Sequence, residues 1–190
     1  MKSMKLTSAL TVTMIAGGIG FSSISANAAP QNQNSTGKVT FIPGSLTLDA
    51  VPDFDFGQQQ ITAQDKNYNA QSASEVQVTD LRGSSAGWEL TVNATQLESN
   101  GKALTGSQIN LTNGVGTNNN GETVTVSNSV LVPSTEVKVM SAAQNNGNGI
   151  SKGTWQATDV TLHVPGTTTK VAGQYTATLT WTLKDVPTAP

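Results

Sequence analysis

The sequence predicts an all-β protein: a single antiparallel β-sandwich, immunoglobulin-like or a related barrel, with no substantial helix after the N-terminal leader. First, valine and threonine recur at two-residue spacing among polar residues, which is typical of half-buried strands. Second, clusters of Asn, Gly and Pro separate these runs at intervals of roughly 8 to 12 residues, as in sandwiches and barrels. Third, no stretch after the leader sustains a helical period.

The predicted strands follow one another along most of the chain. The first run, KVTFI (38–42), ends at a Pro-Gly turn, and the next, SLTLDAVPDFDFG (45–57), spaces large apolar residues two apart. The remaining predicted strands are EVQVTD (75–80), GWELTVN (87–93), QINLTN (108–113), ETVTVSNSVLV (122–132), EVKVM (136–140), GTWQATDVTLHV (153–164) and QYTATLTWTLKDV (174–186).

Alternation assigns each side chain of a strand to one of two faces. In the last strand the odd-numbered residues from Tyr175 to Leu183 are apolar and face the core, while four threonines and Lys184 face solvent. In the strand at 87–93, the core-facing residues are Trp88, Leu90 and Val92, and the outward residues are Glu89, Thr91 and Asn93.

Trp155 does not fit an unbroken strand. Val160, Leu162 and Val164 lie on the opposite parity from Trp155, so one continuous strand would turn them to different faces. We therefore expect a bulge or a break between Gln156 and Asp159.

The N-terminus predicts export. Lys2 and Lys5 precede an uncharged run, and Ala26-Asn27-Ala28 matches a signal-peptidase site, so residues 1–28 are a predicted signal peptide with cleavage after Ala28. A retained membrane anchor is the weaker interpretation, because Ser, Thr and Gly dilute a run that would need about 20 apolar residues to span. Residues 29–37 are a predicted flexible polar leader, and residues 38–187 form a single domain.

Composition excludes several classes of function. The chain has no cysteine, which rules out disulfides, cysteine nucleophiles and cysteine-ligated metals. A formal net charge of −2 favours neither nucleic acid nor an anionic membrane as partner.

One motif and one histidine could suggest nucleophilic catalysis, but neither occurs in the structural context that such catalysis needs. GSSAG (83–87) matches G-x-S-x-G with Ser85 at the nucleophile position, yet a predicted strand follows where a nucleophile elbow needs a helix. His163, the only histidine, could belong to a triad assembled in space, but a solvent-facing position near a strand end is favoured. We expect no catalytic residue.

Three carboxylates cluster in LDAVPDFDFG (48–57). Asp49, Asp53 and Asp55 raise the possibility of calcium or of a glycosidase pair, but the order of ligands in a calcium loop is missing and the spacing does not define a facing pair. No metal and no cofactor is expected.

Two Trp-x-Leu pairs, Trp88/Leu90 and Trp181/Leu183, occur on predicted strands far apart in sequence. Their alternating partners are polar, so core burial is favoured over an exposed aromatic platform that would stack on sugar or protein. If both tryptophans are core, Trp181→Ala should cost roughly 3–5 kcal/mol.

The ordered set of these motifs resembles the WxL-domain family of exported surface proteins of Gram-positive bacteria. The resemblance covers most of the chain after the leader and rests on LDAVPDFDFG (48–57), VTDLRGSSAGWELTV (78–92), LHVP (162–165) and GQYTATLTWTLKDVP (173–187). It implies non-covalent attachment to peptidoglycan or wall polysaccharide, with Trp88, Leu90, Trp181 and Leu183 as the residues on which wall association depends. It also implies assembly with a membrane-anchored WxL-interacting protein and with other WxL proteins.

The resulting prediction is a non-enzymatic module, secreted and held at the cell surface or cell wall. The chain ends in DVPTAP without a covalent sorting signal, consistent with non-covalent attachment. Two alternatives stay open: a carbohydrate-active enzyme or accessory domain on extracellular polysaccharide, and a purely structural subunit of a surface complex.

Overall fold

A computed structural model describes residues 30–185, and the predicted signal peptide lies outside the described residues. Residues 30–40 belong to a separate unit and contain no helix or strand. All secondary structure in the described range lies in the compact unit that begins at Phe41.

Fourteen strands form in the described residues, together with one 3-10 turn at Ala157–Asp159. The strands are β1 Leu46–Ala50, β2 Lys66–Asn69, β3 Ser74–Asp80, β4 Trp88–Ala94, β5 Glu98–Ser99, β6 Lys102–Ala103, β7 Gln108–Leu111, β8 Val115–Asn118, β9 Thr125–Val126, β10 Ser129–Leu131, β11 Glu136–Ala142, β12 Gly149–Trp155, β13 Val160–Val164 and β14 Leu179–Asp185.

The strands pair into three four-stranded sheets and one two-stranded ribbon. The orders are β1-β3-β12-β8, β10-β7-β13-β2 and β14-β4-β11-β9, with β5-β6 as the ribbon, and neighbouring strands within each sheet are antiparallel. The all-β class is therefore confirmed. The arrangement is consistent with a β-sandwich, and the sheets within residues 41–185 do not close into a barrel.

The core is built by the predicted two-residue alternation. Along β3, Val76 and Val78 are fully buried, while Glu75, which precedes Val76, is exposed. Burying each such side chain contributes on the order of 1.5–3 kcal/mol, so the alternating faces account for much of the driving force. The largest fully buried side chains are Trp88, Trp155, Leu90, Leu111, Leu131 and Met140.

The predicted break after Trp155 is confirmed. The 3-10 turn separates β12 from β13, and these two strands belong to different sheets. Within the turn, the Asp159 amide donates to the Gln156 carbonyl at 2.9 Å. Trp155 and Val160 are an odd number of positions apart, so an unbroken strand would turn them to opposite faces. Because the turn interrupts the alternation, both side chains are buried.

The strand predicted at residues 38–42 does not form. Phe41 and Ile42 are 88% and 87% exposed, and the ladder begins only where the Gly44 amide donates to the Leu81 carbonyl at 2.8 Å. Apolar alternation without a partner strand leaves the backbone unpaired, so propensity alone does not make a strand here.

Strand boundaries also differ from the prediction at several places. The run 122–132 divides into β9 and β10, which join different sheets, and β14 begins at Leu179, five residues after the predicted start. The polar strands β2 and β8 were not predicted, because their sequences, KNYN and VGTN, carry too few apolar residues to show a period.

Candidate functional site

The two Trp-x-Leu motifs lie side by side on adjacent antiparallel strands. β4 and β14 pair along their whole lengths, with Leu183 directly opposite Leu90 and Trp181 opposite Val92. Asp185 is opposite Trp88. Because residues two apart share a face, both motifs turn their large side chains to the same side of this sheet.

The two motifs differ in how deeply their Trp and Leu side chains are buried. Trp88 and Leu90 are 0% exposed, whereas Trp181 and Leu183 are half-buried and pack against the edge of the core. The expected core burial is thus confirmed for the first pair and is partial for the second. Trp88 cannot touch a ligand in this conformation, because none of its surface is accessible.

A glycine-rich loop closes over the Trp88 indole. The Nε1 of Trp88 donates to the carbonyl of Gly147 at 3.2 Å. Gly147 has a φ of 81°, and a Cβ placed on it would lie 2.6 Å from that same Nε1. Only glycine permits both this backbone conformation and this close approach.

Amide side chains hold that loop in place. Asn148 donates from its backbone and its side chain to the Glu122 carboxylate, at 2.7 and 3.1 Å. The Asn118 side chain donates to the Asn148 carbonyl at 2.9 Å. The Asn- and Gly-rich segments 118–121 and 144–149 are therefore joined directly, and the second of them covers the Trp88 indole.

Arg82 connects the loop before β4 to the last residue of β14. Its guanidinium donates to both carboxylate oxygens of Asp80, at 2.9 and 2.7 Å, and to the Gly87 carbonyl at 2.8 Å. It also pairs with Asp185, the last residue of β14. The side chain of Asp80 is only 1% exposed, so it holds Arg82 in place, and the pair with Asp185 links the loop before Trp88 to the end of β14.

Electrostatics at this contact favour the charged pair. Burial would raise the pKa of Asp80, but the hydrogen bonds and positive charge of Arg82 outweigh it and lower the pKa below its ordinary value. The same hydrogen bonds raise the pKa of Arg82. Sequence reasoning missed this group, although Arg82 is the only arginine in the chain.

The polar face of the motif strands is less exposed than predicted. Thr91 was expected to face solvent but is buried, because β4 is an inner strand with β14 on one side and β11 on the other. Its hydroxyl donates to the Glu136 carboxylate, which also pairs with Lys184 of β14. Hydrogen bonds from Lys184 and then from Thr91 lower the pKa of Glu136.

The residues considered for catalysis lie apart and have structural partners. Ser85 adopts a positive φ of 54° in the loop before β4, and its carbonyl accepts from the Asn145 amide at 2.8 Å. His163 lies on β13, where its Nδ1 is 2.8 Å from the Asn67 side-chain oxygen. Within residues 30–185, no hydrogen bond joins Ser85 to His163.

The three aspartates do not converge. Asp49 accepts from the Thr47 and Thr79 hydroxyls and from Gln77, and the Thr79 bond is the main cause of its lowered pKa. Asp55 accepts from the Gly57 amide at 2.8 Å, closing a local turn. In the part of the chain that the structure describes, no group of three or more His, Cys, Asp or Glu side chains could hold a metal ion.

Within residues 41–185, an all-β unit places the two Trp-x-Leu strands side by side in one sheet. The WxL family, described as "WxL domain surface cell wall-binding", matches residues 3–187. The chain therefore belongs to the WxL family of cell wall-binding surface domains. No curated protein and no solved structure matches the chain significantly. Among the described residues, no helix is long and apolar enough to cross a membrane.

Proposed function

We propose that this protein attaches non-covalently to the cell surface by binding peptidoglycan or wall polysaccharide, and that it assembles there with other surface proteins. The observation that carries this proposal is the match to the cell wall-binding family along residues 3–187. The partners we propose are a membrane-anchored WxL-interacting protein and further WxL proteins.

In this proposal the first motif acts through the fold. Trp88 and Leu90 are fully buried, so they support binding by holding β4 and the loop of Gly147 in place. Trp181 and Leu183, at the sheet edge, retain some accessible surface. They are the motif residues that a wall component could also touch.

We propose a domain organisation of signal peptide (1–28), polar leader (29–37) and wall-binding domain (38–187). The start of the compact unit at Phe41 supports this boundary. Mass spectrometry of the exported protein should give Ala29 as its first residue, and a covalent peptidoglycan adduct on the extracted protein would contradict non-covalent attachment.

We also propose that the module is non-enzymatic. The Asp55 carboxylate supports this, since it accepts from the backbone amide of Gly57 and closes a local turn. Incubation with wall polysaccharide should release no reducing ends. If release occurs and is lost in the Asp53→Ala or Asp55→Ala variant, the carbohydrate-active alternative is correct.

Sedimentation with purified wall sacculi tests attachment. The wild-type protein should co-sediment with sacculi and be released by denaturant without proteolysis, with and without added partner protein. The matched variants are Trp181→Ala and Thr182→Ala. These residues are neighbours on β14, and Trp181 faces the core whereas Thr182 faces solvent. A folded wild-type protein that stays in the supernatant would reject the proposal.

A further inference from the structure

A large open cleft lies beside the second motif strand, over the inner face of the sheet β10-β7-β13-β2. Its volume is about 1100 Å³. Its floor includes Ile109, Leu162 and Val164, the core-facing residues of β7 and β13. Sites for small ligands typically measure roughly 300–1,000 Å³, so this cleft has room for a ligand of several rings.

Two long segments without regular secondary structure form its walls. They are parts of residues 51–65, between β1 and β2, and of residues 165–178, between β13 and β14. Connections of this length without secondary structure are uncommon inside a compact unit, and binding residues are often carried on loops that a sheet positions. The sheet is thus a rigid base that presents two irregular walls.

The lining combines aromatic rings with uncharged amides. The rings are those of Phe54, Phe56, Tyr68 and Tyr175, and the amides come from glutamines at 58–60 and 174. Rings supply flat apolar faces, while each amide both donates and accepts hydrogen bonds. Such a surface suits a ligand that has an apolar face and a rim of hydroxyl or acetamido groups.

Few of the described residues that line the cleft are charged, and the charged groups already have hydrogen-bond partners. Its one lysine, Lys170, donates from Nζ to the carbonyls of Pro165 and Thr168, at 2.9 and 3.1 Å. Its one carboxylate, Asp55, accepts from the Gly57 amide. The described lining has no cluster of cations that could bind the phosphates of a phosphate-rich polymer. A neutral ligand does not need such a cluster.

We infer that this cleft is the binding site for a neutral N-acetylhexosamine glycan strand, whose sugar rings pack on the aromatic side chains and whose polar rim bonds the glutamines. The inference rests on the proposed wall-binding function and assigns it a location. Each pyranose ring has a C–H face and equatorial polar groups, which match the two kinds of side chain that line the walls.

The cleft also connects binding to the second motif. Leu179 lines the cleft and shares a core-facing side of β14 with Trp181. Just before it, the backbones of Thr176 and Glu98 exchange two hydrogen bonds of 3.0 Å, and the Tyr175 hydroxyl accepts from the Val171 amide at 2.9 Å. Displacing β14 would therefore displace this wall, so a motif residue that touches no sugar still determines the shape of the site.

The test is a titration of the purified protein with a soluble β-1,4-linked N-acetylglucosamine hexamer, followed by two-dimensional NMR. We expect shifts at residues 54–61 and 170–177. Gln174→Trp replaces a hydrogen-bonding amide on an exposed position of the wall with a bulky aromatic ring, so it should change the affinity for the hexamer at least about tenfold, by blocking the cleft or by adding a stacking face. Gln144→Trp is the matched control, because Gln144 is also an exposed loop glutamine but does not line the cleft.

Several results would overturn the inference. One is equal affinity of the two tryptophan variants for the hexamer. Another is that the NMR shifts are confined to a different surface, such as the outer face of β13. A third is that the protein does not bind the hexamer at concentrations up to about 1 mM. Tighter binding of a polyglycerol phosphate, or shifts at the cleft caused by an extended apolar peptide and not by the hexamer, would also overturn it by identifying a different ligand.

The two proposals fail in different ways. If wild type and Gln174→Trp sediment equally with sacculi and bind the hexamer equally, attachment stands and the cleft is rejected as its site. If the hexamer binds in the cleft but wild type does not sediment with sacculi, the wall-binding function is rejected and the glycan site stands.

Discussion

The strands β4 and β14 carry the same Trp-x-Leu spacing but occupy different positions in one sheet. β4 has a neighbour on each side, and its Trp88 and Leu90 are completely buried. β14 is an edge strand, and its Trp181 and Leu183 are half-buried. Spacing decides which face a side chain takes, whereas the number of neighbouring strands decides how deep it lies. The motif is therefore one sequence pattern with two structural roles.

Deleting β14 should have the largest effect on this comparison. A chain truncated before Thr178 loses Leu179, Trp181 and Leu183 and leaves β4 as an exposed apolar edge, which promotes aggregation. We expect no cooperative thermal unfolding and a largely insoluble product. A soluble fragment that melts cooperatively would show that β14 is an accessory strand.

Trp88→Ala should be the most damaging single substitution in the two motif strands. It removes a fully buried ring and leaves the Gly147 carbonyl without its indole donor, so we expect a loss of about 3–5 kcal/mol in the free energy of unfolding. Urea denaturation followed by circular dichroism measures this loss. A cost below that of Trp181→Ala would contradict the assigned difference in depth.

Asp80→Asn should weaken the contact that joins the ends of the two strands. Hydrogen bonds to a charged partner are worth about 1.5–3 kcal/mol, and we expect a loss in that range near neutral pH.

The pH dependence of that loss follows from the lowered pKa of Asp80. A depressed folded-state pKa means that the stabilisation is present above the ordinary aspartate pKa and disappears as the pH falls through the folded-state value. Melting temperatures measured between about pH 7 and pH 2 should therefore converge for wild type and Asp80→Asn in acid. A constant difference would show that Asp80 is not the titrating partner.

Trp181→Ala should cost about 1–2 kcal/mol, because a half-buried ring forfeits only part of the roughly 3–5 kcal/mol of a buried one. This is less than full core burial of Trp181 would give. The variant should remain folded, so its binding to sacculi can be measured separately from its stability. If the variant is as stable as wild type but no longer binds sacculi, Trp181 contacts the wall component directly.

Thr182→Ala should have the smallest effect. Thr182 is exposed on the outer face of β14, and such sites change stability by no more than about 0.5 kcal/mol. Thermal denaturation should give nearly the wild-type melting temperature, and sedimentation with sacculi should be unchanged. A clear loss of binding alone would place a contact surface on the outer face.

Local pattern predicted much of this molecule. The all-β class, most strands, the inward side of Trp88 and Leu90, and the break between Trp155 and Val160 all follow from a two-residue period and from turn residues. The ordered set of motifs that includes the two Trp-x-Leu pairs identified the family whose model matches residues 3–187. These features depend on residues close together in sequence, which a single chain displays directly.

Tertiary structure decided what depends on partners far away in sequence. The run at 38–42 has strand spacing but no neighbour, and Thr91 alternates like an outward residue but lies between two strands. Arg82 meets Asp185 across about half the chain, and the cleft arises where two distant loops stand over one sheet. Alternation fixes only the side to which a residue points, while pairing partners, depth and enclosed volume are set by which distant segments fold against it.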